Sequence, residues 1–272
     1  MNKPNHPFIS ISSDLGVESE EVAIMKAVAL QINPDAIILD LRHSIPGFNI
    51  VEGAWTMETV HLLPVGYHVC VVDPGVGTER RGVIIKTKRG DYLLGPDNGV
   101  LIPAAEQFLG GIEKVVEIKN EKYMRKPVSP VFHGRDVFTP AAAWLSRGTP
   151  IEEFGPEIDH KKLVGAPYTE GDVMNKRVKA QVIHINRFGT IFINIKYDNF
   201  VKSGIKYGDK ITVEVNKRKI KTKFLKTFGE VPIGEPLVIP DDFGRIEIAM
   251  NQDNFSEKYK VKLLDTVKIK KM

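Results

Sequence analysis

The sequence predicts an α/β domain built on a mostly parallel sheet, followed by a smaller all-β domain. Strand-like and helix-like runs alternate through the first half of the 272 residues, which is typical of a parallel sheet with helices on both faces. The second half contains short strand-like runs, and a segment rich in Pro, Gly and charge separates the halves. We therefore expect domains at 1–158 and 173–272, joined by a linker at 159–172.

Local patterns predict the elements of the first domain. Phe8–Ser12 is a short apolar run typical of a strand. In Glu18–Ile32 apolar residues recur at helical spacing, and Asn33-Pro34 ends the expected helix. The remaining expected elements are strands at Ala36–Leu41 and His68–Asp73, helices at Val51–Leu63, Leu101–Leu109 and Thr139–Leu145, and a hairpin centred on Arg89-Gly90.

The second domain is expected to consist of strands at Val178–Ile185, Ile191–Ile195, Lys210–Val215, Lys219–Leu225 and Arg245–Met250. Its basic balance, 21 Lys/Arg against 11 Asp/Glu over 173–272, would suit a nucleic-acid partner. However, many of the lysines alternate with apolar residues, as on a solvated strand surface, and the aromatic clusters of single-strand binders are lacking. Nucleic acid is therefore not the expected partner.

Composition excludes several classes of protein. The chain is 42% hydrophobic and 26% charged, which is ordinary for a globular protein and excludes a disordered or collagen-like chain. Cys70 is the only cysteine, so an intramolecular disulfide is impossible. No apolar run is long enough to cross a membrane, and the N-terminus lacks the apolar stretch of a signal peptide. We expect a cytoplasmic location.

Polar, turn-forming sequence follows three of the predicted strands of the first domain. Ligands of open α/β sheets bind beyond the carboxyl ends of the strands. Asp14 and Asp73 both lie at this edge, where a carboxylate can accept hydrogen bonds from a ribose diol or orient a base. Helix capping or turn closure would also explain an aspartate at either position.

The same loops exclude several common chemistries. Gly75 and Gly77 follow Asp73, but the segment matches neither a dinucleotide fingerprint nor a P-loop. His133 lies between an aromatic residue and a glycine, where it could transfer protons or serve a structural role. No metal-ligand pattern and no nucleophile elbow occur, so a metal site and a covalent intermediate are not expected.

Five segments together resemble one enzyme family. These segments occur in the order and at the spacings of that family, and they are SSDLG, HSIPGFNIVEGA, VVDPGVGTERR, GPDNGVL and FHGRDVFTPAAA. They resemble the S-adenosyl-L-methionine (SAM) hydrolases that form adenosine, also called SAM hydroxide adenosyltransferases, which are related to fluorinating and chlorinating enzymes. The resemblance is strong over Phe8–Gly148 and continues more weakly at Ile185–Ile195 and Phe243–Asn251.

This resemblance implies hydrolysis of SAM to adenosine and L-methionine by attack of a water-derived oxygen on C5′. The implied catalytic residues are Asp73, Arg80 and His133, a trio that the halogenating relatives lack. No metal or cofactor takes part in the implied reaction. The resemblance also implies a barrel-like C-terminal domain and a homotrimer whose substrate sites lie at subunit interfaces.

The resemblance further implies a set of substrate-binding residues. Asp14 matches the position that binds the ribose hydroxyls, and Phe48 matches an aromatic residue beside the ribose. Phe188 matches an aromatic residue that stacks on adenine. Asn186 and Thr190 stand where the family usually has Asp and Asn.

Other positions also depart from the family pattern. Ser19 stands where the family usually has Asp, and Asp241-Asp242 replaces an Asn-Ser pair. The catalytic trio is thus intact while part of the recognition residues differ. Two alternatives stay open: a SAM- or adenosine-binding protein with little or no turnover, and halide-dependent adenosyl transfer.

Overall fold

The structure, a computed structural model, describes residues 6–272. The chain divides into two compact units, the first ending at Pro167 and the second comprising Tyr168–Met272. The predicted linker at 159–172 spans this division, and its exact bounds stay a prediction. In the part of the chain that is described, no helix is long and apolar enough to cross a membrane.

The strands of the first unit form one sheet. Strands β1 to β6 are Phe8–Ser13, Ile37–Arg42, Tyr67–Val71, Gly82–Thr87, Tyr92–Pro96 and Ile112–Glu117. Their order in the sheet is β2-β1-β3-β5-β4-β6. Strand β1 is parallel to β2 and β3, and β3 is parallel to β5, whereas β4 is antiparallel to β5 and β6. The mostly parallel sheet is therefore confirmed, and β4 and β5 form the predicted hairpin.

Helices cover both faces of this sheet. Helices α1 to α4 are Glu20–Ile32, Ile50–Glu58, Ile102–Gln107 and Thr139–Ser146. Successive residues of β3 point to opposite faces, so Val69 packs in the core with Met25 of α1 and residues of α4. Cys70 packs in a second core with Met57 of α2 and Ala104 of α3. Each face of the sheet thus has its own hydrophobic core.

Helix ends follow the local sequence signals. Helix α1 begins after Ser19, whose Oγ accepts the N–H of Glu21 at 3.3 Å, and ends at Ile32, just before Asn33-Pro34. Helix α2 is shorter than predicted, because the chain tightens into a 3₁₀ turn at Thr59–Leu62 before Pro64.

The second unit is an antiparallel, barrel-like sheet that is nearly closed. Strands β7 to β14 are Asp172–Met174, Arg177–Ile185, Ile191–Lys196, Lys210–Val215, Arg218–Lys223, Pro236–Pro240, Arg245–Met250 and Thr266–Lys271. Short helices α5 and α6 lie at Tyr197–Phe200 and Phe255–Tyr259. The strand order is β11-β10-β14-β8-β9-β13-β12, with β7 beside β8. A bridge between Phe224, just after β11, and Val238 of β12 brings the two ends of the sheet together. The all-β, barrel-like prediction is confirmed.

Candidate active site

The loops after β1 and β3 lie side by side at one edge of the first sheet. Ser13 at the end of β1 is in register with Val71 at the end of β3. The N–H of Asp14 donates to the carbonyl of Val71 at 3.3 Å. The parallel pairing therefore places Asp14 and the loop that carries Asp73 at the same carboxyl-terminal edge, where open α/β sheets bind ligands.

One guanidinium joins the three residues of the predicted catalytic trio. Nε of Arg80 donates to both carboxylate oxygens of Asp73, at 2.8 and 3.0 Å, and Nη2 donates to the same carboxylate. The same Nη2 lies 2.8 Å from Nδ1 of His133. The side chains of Arg80 and Asp73 are only 11% and 6% exposed, so water competes weakly for these hydrogen bonds.

The contact with Arg80 fixes the protonation of His133. A guanidinium can only donate, so Nδ1 of His133 must accept, and the ring proton of the neutral imidazole lies on Nε2. Burial lowers the pKa of His133, and the positive charge of Arg80 lowers it further. His133 is therefore a neutral imidazole that can donate a hydrogen bond from Nε2.

Glycines allow the loop of Asp73 to approach the loop of His133. Gly77 adopts a φ of 78°, and a Cβ there would lie 2.5 Å from the carbonyl oxygen of Pro130. A Cβ on Gly75 would lie 3.1 Å from Cγ of Arg80. The backbone approach that brings the trio together thus depends on positions without side chains.

Asp14 and Phe48 also form one local arrangement. The N–H of Phe48 donates to Oδ2 of Asp14 at 2.7 Å. Phe48 has a φ of 64°, a left-handed conformation that is uncommon for an aromatic residue, and its side chain is 73% exposed. Strain of this kind persists where the surrounding structure imposes it, often at ligand sites. The two residues expected at the ribose are therefore adjacent.

A hydrogen-bond chain that is buried at Ser13 and His43 supports the end of β1, and the sequence reasoning missed it. Oγ of Ser13 lies 2.7 Å from Nδ1 of His43, and Nε2 of His43 lies 3.2 Å from Oδ1 of Asp40. Burial lowers the pKa of His43. Ser13 itself is fully buried, so this Ser-His-Asp chain serves to hold the loop next to Asp14 rather than to present a nucleophile.

The other predicted binding residues line a cleft of about 980 Å³ in the second unit, here called the barrel cleft. Asn186 shapes its rim, because its Oδ1 accepts the N–H groups of Phe188 at 3.0 Å and Thr190 at 3.1 Å. Phe188 is 68% exposed, with its ring available to a planar ligand. Both lone pairs of the Asn186 oxygen are thus occupied by the backbone.

Four carboxylates line the same barrel cleft, namely Asp241, Asp242, Glu247 and Asp253. The departure of Asp241 and Asp242 from the family pattern was visible in the sequence. Glu247 was missed, because it lies within a strand-like run where a polar residue is expected to face solvent.

The described residues include neither a metal-binding cluster nor a reactive thiol. Among residues 6–272, no group of three or more His, Cys, Asp or Glu side chains could hold a metal ion. Burial raises the pKa of the Cys70 thiol to about 12, which keeps it protonated and unreactive.

Comparison with known proteins defines the class to which this architecture and site belong. Models of the SAM hydroxide adenosyltransferase N-terminal and C-terminal domains match residues 9–155 and 180–268. A curated (R)-S-adenosyl-L-methionine hydrolase from Methanocaldococcus jannaschii is 36% identical, over 96% of this chain and 95% of its own length. A protein of the same name from Salinispora tropica is 33% identical, over 90% of both chains. A fluorinase from Actinoplanes sp. is 25% identical, over 98% of both.

A solved structure has the same architecture. It is described as an uncharacterized conserved protein from Thermotoga maritima, with a TM-score of 0.90, 35% identity, and coverage of 97% of this chain and 100% of that one. The chain belongs to the SAM hydroxide adenosyltransferase family, as the resemblance of its motifs predicted.

Proposed function

We propose that this protein hydrolyses SAM to adenosine and L-methionine. The observation that carries the proposal is the bridge that Arg80 makes between Asp73 and His133, in a chain whose curated relatives are named SAM hydrolases. The bridge lies at the sheet edge where α/β proteins bind ligands, next to the expected ribose site at Asp14.

Hydrolysis of SAM requires mainly that the protein position a water molecule. The sulfonium makes methionine a good leaving group, because the C5′–S bond breaks to give a neutral thioether. An acid is therefore not needed for departure. What is needed is a water oxygen aligned with C5′ and an acceptor for its proton.

The trio supplies these two functions in the proposed mechanism. Asp73 is the proton acceptor, since a carboxylate keeps lone pairs beyond those that Arg80 occupies. His133, neutral and protonated on Nε2, donates a hydrogen bond that orients the water. Arg80 positions both groups, and its charge stabilises the hydroxide that develops as the proton leaves.

The remaining parts of the proposal rest on the resemblance. Asp14 binds the ribose hydroxyls, Phe48 packs beside the ribose, and Phe188 stacks on adenine. SAM is the substrate and no cofactor or metal is required. The protein is a cytoplasmic homotrimer with substrate sites at subunit interfaces. Cell fractionation tests the cytoplasmic location. Loss of activity when the protein is diluted until the subunits dissociate tests the shared sites of the trimer.

Incubation of the purified protein with SAM, followed by chromatography, tests the reaction directly. We expect adenosine and methionine in equal amounts, with and without excess chloride. A 5′-chloro product would instead support halide-dependent transfer. Tight binding of SAM in calorimetry without any product would support the binding-protein alternative and refute hydrolysis.

Variants test the assignment of the trio. Asp73→Ala and His133→Ala are expected to lose most turnover while they still bind SAM. Arg81→Ala is the matched control, because Arg81 neighbours Arg80 in sequence and pairs with Asp97, through Nε at 2.9 Å, outside the trio. Wild-type rates in both Asp73→Ala and His133→Ala would refute the mechanism.

A further inference from the structure

The barrel cleft contains two carboxyl groups with oxygens that accept no hydrogen bond from residues 6–272. Oδ1 of Asp241 accepts the N–H groups of Phe243 at 2.9 Å and Arg245 at 2.6 Å. Its Oδ2 is buried and, among residues 6–272, has no hydrogen-bond partner. Glu247 is only 8% exposed, and no hydrogen bond from a described residue reaches its carboxylate. Such groups are costly to bury unless something donates to them.

The strands hold these two carboxyl groups close to one another. Strands β12 and β13 form a hairpin in which Glu247 is in register with Ile239. Asp241 follows β12 directly, and its N–H donates to the carbonyl of Arg245 at 3.0 Å. Burial raises the pKa of Asp241, and burial together with Asp241 and Asp242 raises that of Glu247 to about 7. A cation placed between them would relieve this repulsion.

The cations at the barrel cleft, Arg187 and Lys226, and the neighbouring Arg245 all have other contacts. The guanidinium of Arg187 lies over the ring of Phe188, 5.5 Å from its centroid. The ammonium of Lys226 lies over the ring of Tyr207, at 5.6 Å. The Arg245 side chain is fully buried and lies 3.4 Å from Glu170. We therefore look to a ligand for a positive charge that lies directly between the two carboxyl groups.

We propose that Asp241 and Glu247 bind the primary ammonium of a sulfonium nucleoside, and that the cleft prefers an aminoalkyl side chain without a carboxylate. This inference rests on the proposed function, which supplies the adenosyl sulfonium. The oxygen of Asn186 is saturated by backbone donors, so it cannot take the ammonium. Beside Asp241, Asp242 and Glu247 a ligand carboxylate would meet like charges, whereas an ammonium would meet opposite ones.

Three sulfonium nucleosides separate these contributions: SAM, its decarboxylated aminopropyl form, and a form with the carboxylate but no amine. We expect kcat/KM of the aminopropyl form to exceed that of SAM by at least about threefold. Loss of the amine is expected to lower kcat/KM by about 10- to 100-fold, as for loss of a charge-assisted hydrogen bond.

Variants assign the effect to particular residues. Glu247→Gln and Asp241→Asn are expected to reduce the discrimination between the aminopropyl and amine-free forms by about tenfold. Asp253→Asn is the matched control, because Asp253 also borders the barrel cleft but pairs with Lys258 at 3.5 Å. Equal discrimination in wild type and in both variants would overturn the proposal.

Binding measurements separate this inference from the proposed function. Calorimetry with the same three nucleosides measures how much the amine contributes to binding affinity, even in a protein without turnover. Hydrolysis of SAM with no preference for the amine would refute the inference and leave the proposed function standing. Amine-dependent binding without hydrolysis would support the inference on recognition and refute the proposed function.

Discussion

Replacing Glu247 with glutamine removes a carboxyl group whose pKa is raised from 4.5 to about 7 by burial and by the neighbouring charges of Asp241 and Asp242. The unfolded chain releases this proton near pH 4.5, whereas the folded chain holds it up to about pH 7. The folded protein therefore loses stability as the pH rises through this interval. The pKa difference corresponds to about 3 kcal/mol.

The variant has no such proton to lose. We expect the stability of Glu247→Gln relative to wild type to increase by about 3 kcal/mol between pH 4.5 and pH 8. Thermal unfolding without ligand measures this effect. Between pH 4.5 and pH 8 the melting temperature of Glu247→Gln should rise by roughly 5–10 °C relative to that of wild type. Asp253→Asn, an exposed carboxyl group, provides the control. A difference between Glu247→Gln and wild type that does not change with pH would refute the reasoning.

Three further predictions concern the trio and the glycine loop that carries Asp73. The Arg80→Lys variant keeps the positive charge, but one ammonium cannot contact both Asp73 and His133. We therefore expect kcat at saturating SAM to fall about 100-fold while the Kd for SAM changes little. An unchanged kcat would contradict the role of Arg80 in joining the two residues. The proposed mechanism uses neutral His133, whose pKa is lowered from 6.5, so kcat should stay constant down to pH 6.5 and decline only below it. A decline centred above pH 6.5 would contradict the assignment of His133 as the neutral group that orients the water. Gly77 has a φ of 78°, and a Cβ there would lie 2.5 Å from the Pro130 oxygen, so Gly77→Ala should lower the free energy of unfolding by about 1–3 kcal/mol and reduce kcat. Denaturant unfolding and rate measurements test this. Wild-type values of both quantities would show that the trio does not depend on the close approach of the two loops.

The sequence was sufficient for elements that bury one face. In α1 the apolar residues Val22, Met25 and Ala29 recur at helical spacing, and all three are buried. Strand β13 is different, because every residue of Arg245–Met250 is buried, including Glu247. Alternation predicts an outward-facing glutamate there, but the barrel and its cleft cover both faces, and this covering depends on distant segments.

The site was predictable only in part for a similar reason. Asp73 and Arg80 share one loop, so their proximity follows from local sequence. His133 reaches Arg80 only because Gly77 allows the chain near Pro130 to pass close by. Spacing alone carries no information on such a contact, and the family resemblance was the signal that joined the three residues.

Hydrolysis in water enriched in ¹⁸O tests the central claim most directly. If water attacks C5′ of SAM, mass spectrometry will find one ¹⁸O atom in the 5′-hydroxyl of adenosine and none in methionine. The Asp73→Ala variant should form little labelled adenosine. Adenosine without the label, or a label found in methionine, would contradict attack of water on C5′ and with it the proposed roles of Asp73, Arg80 and His133.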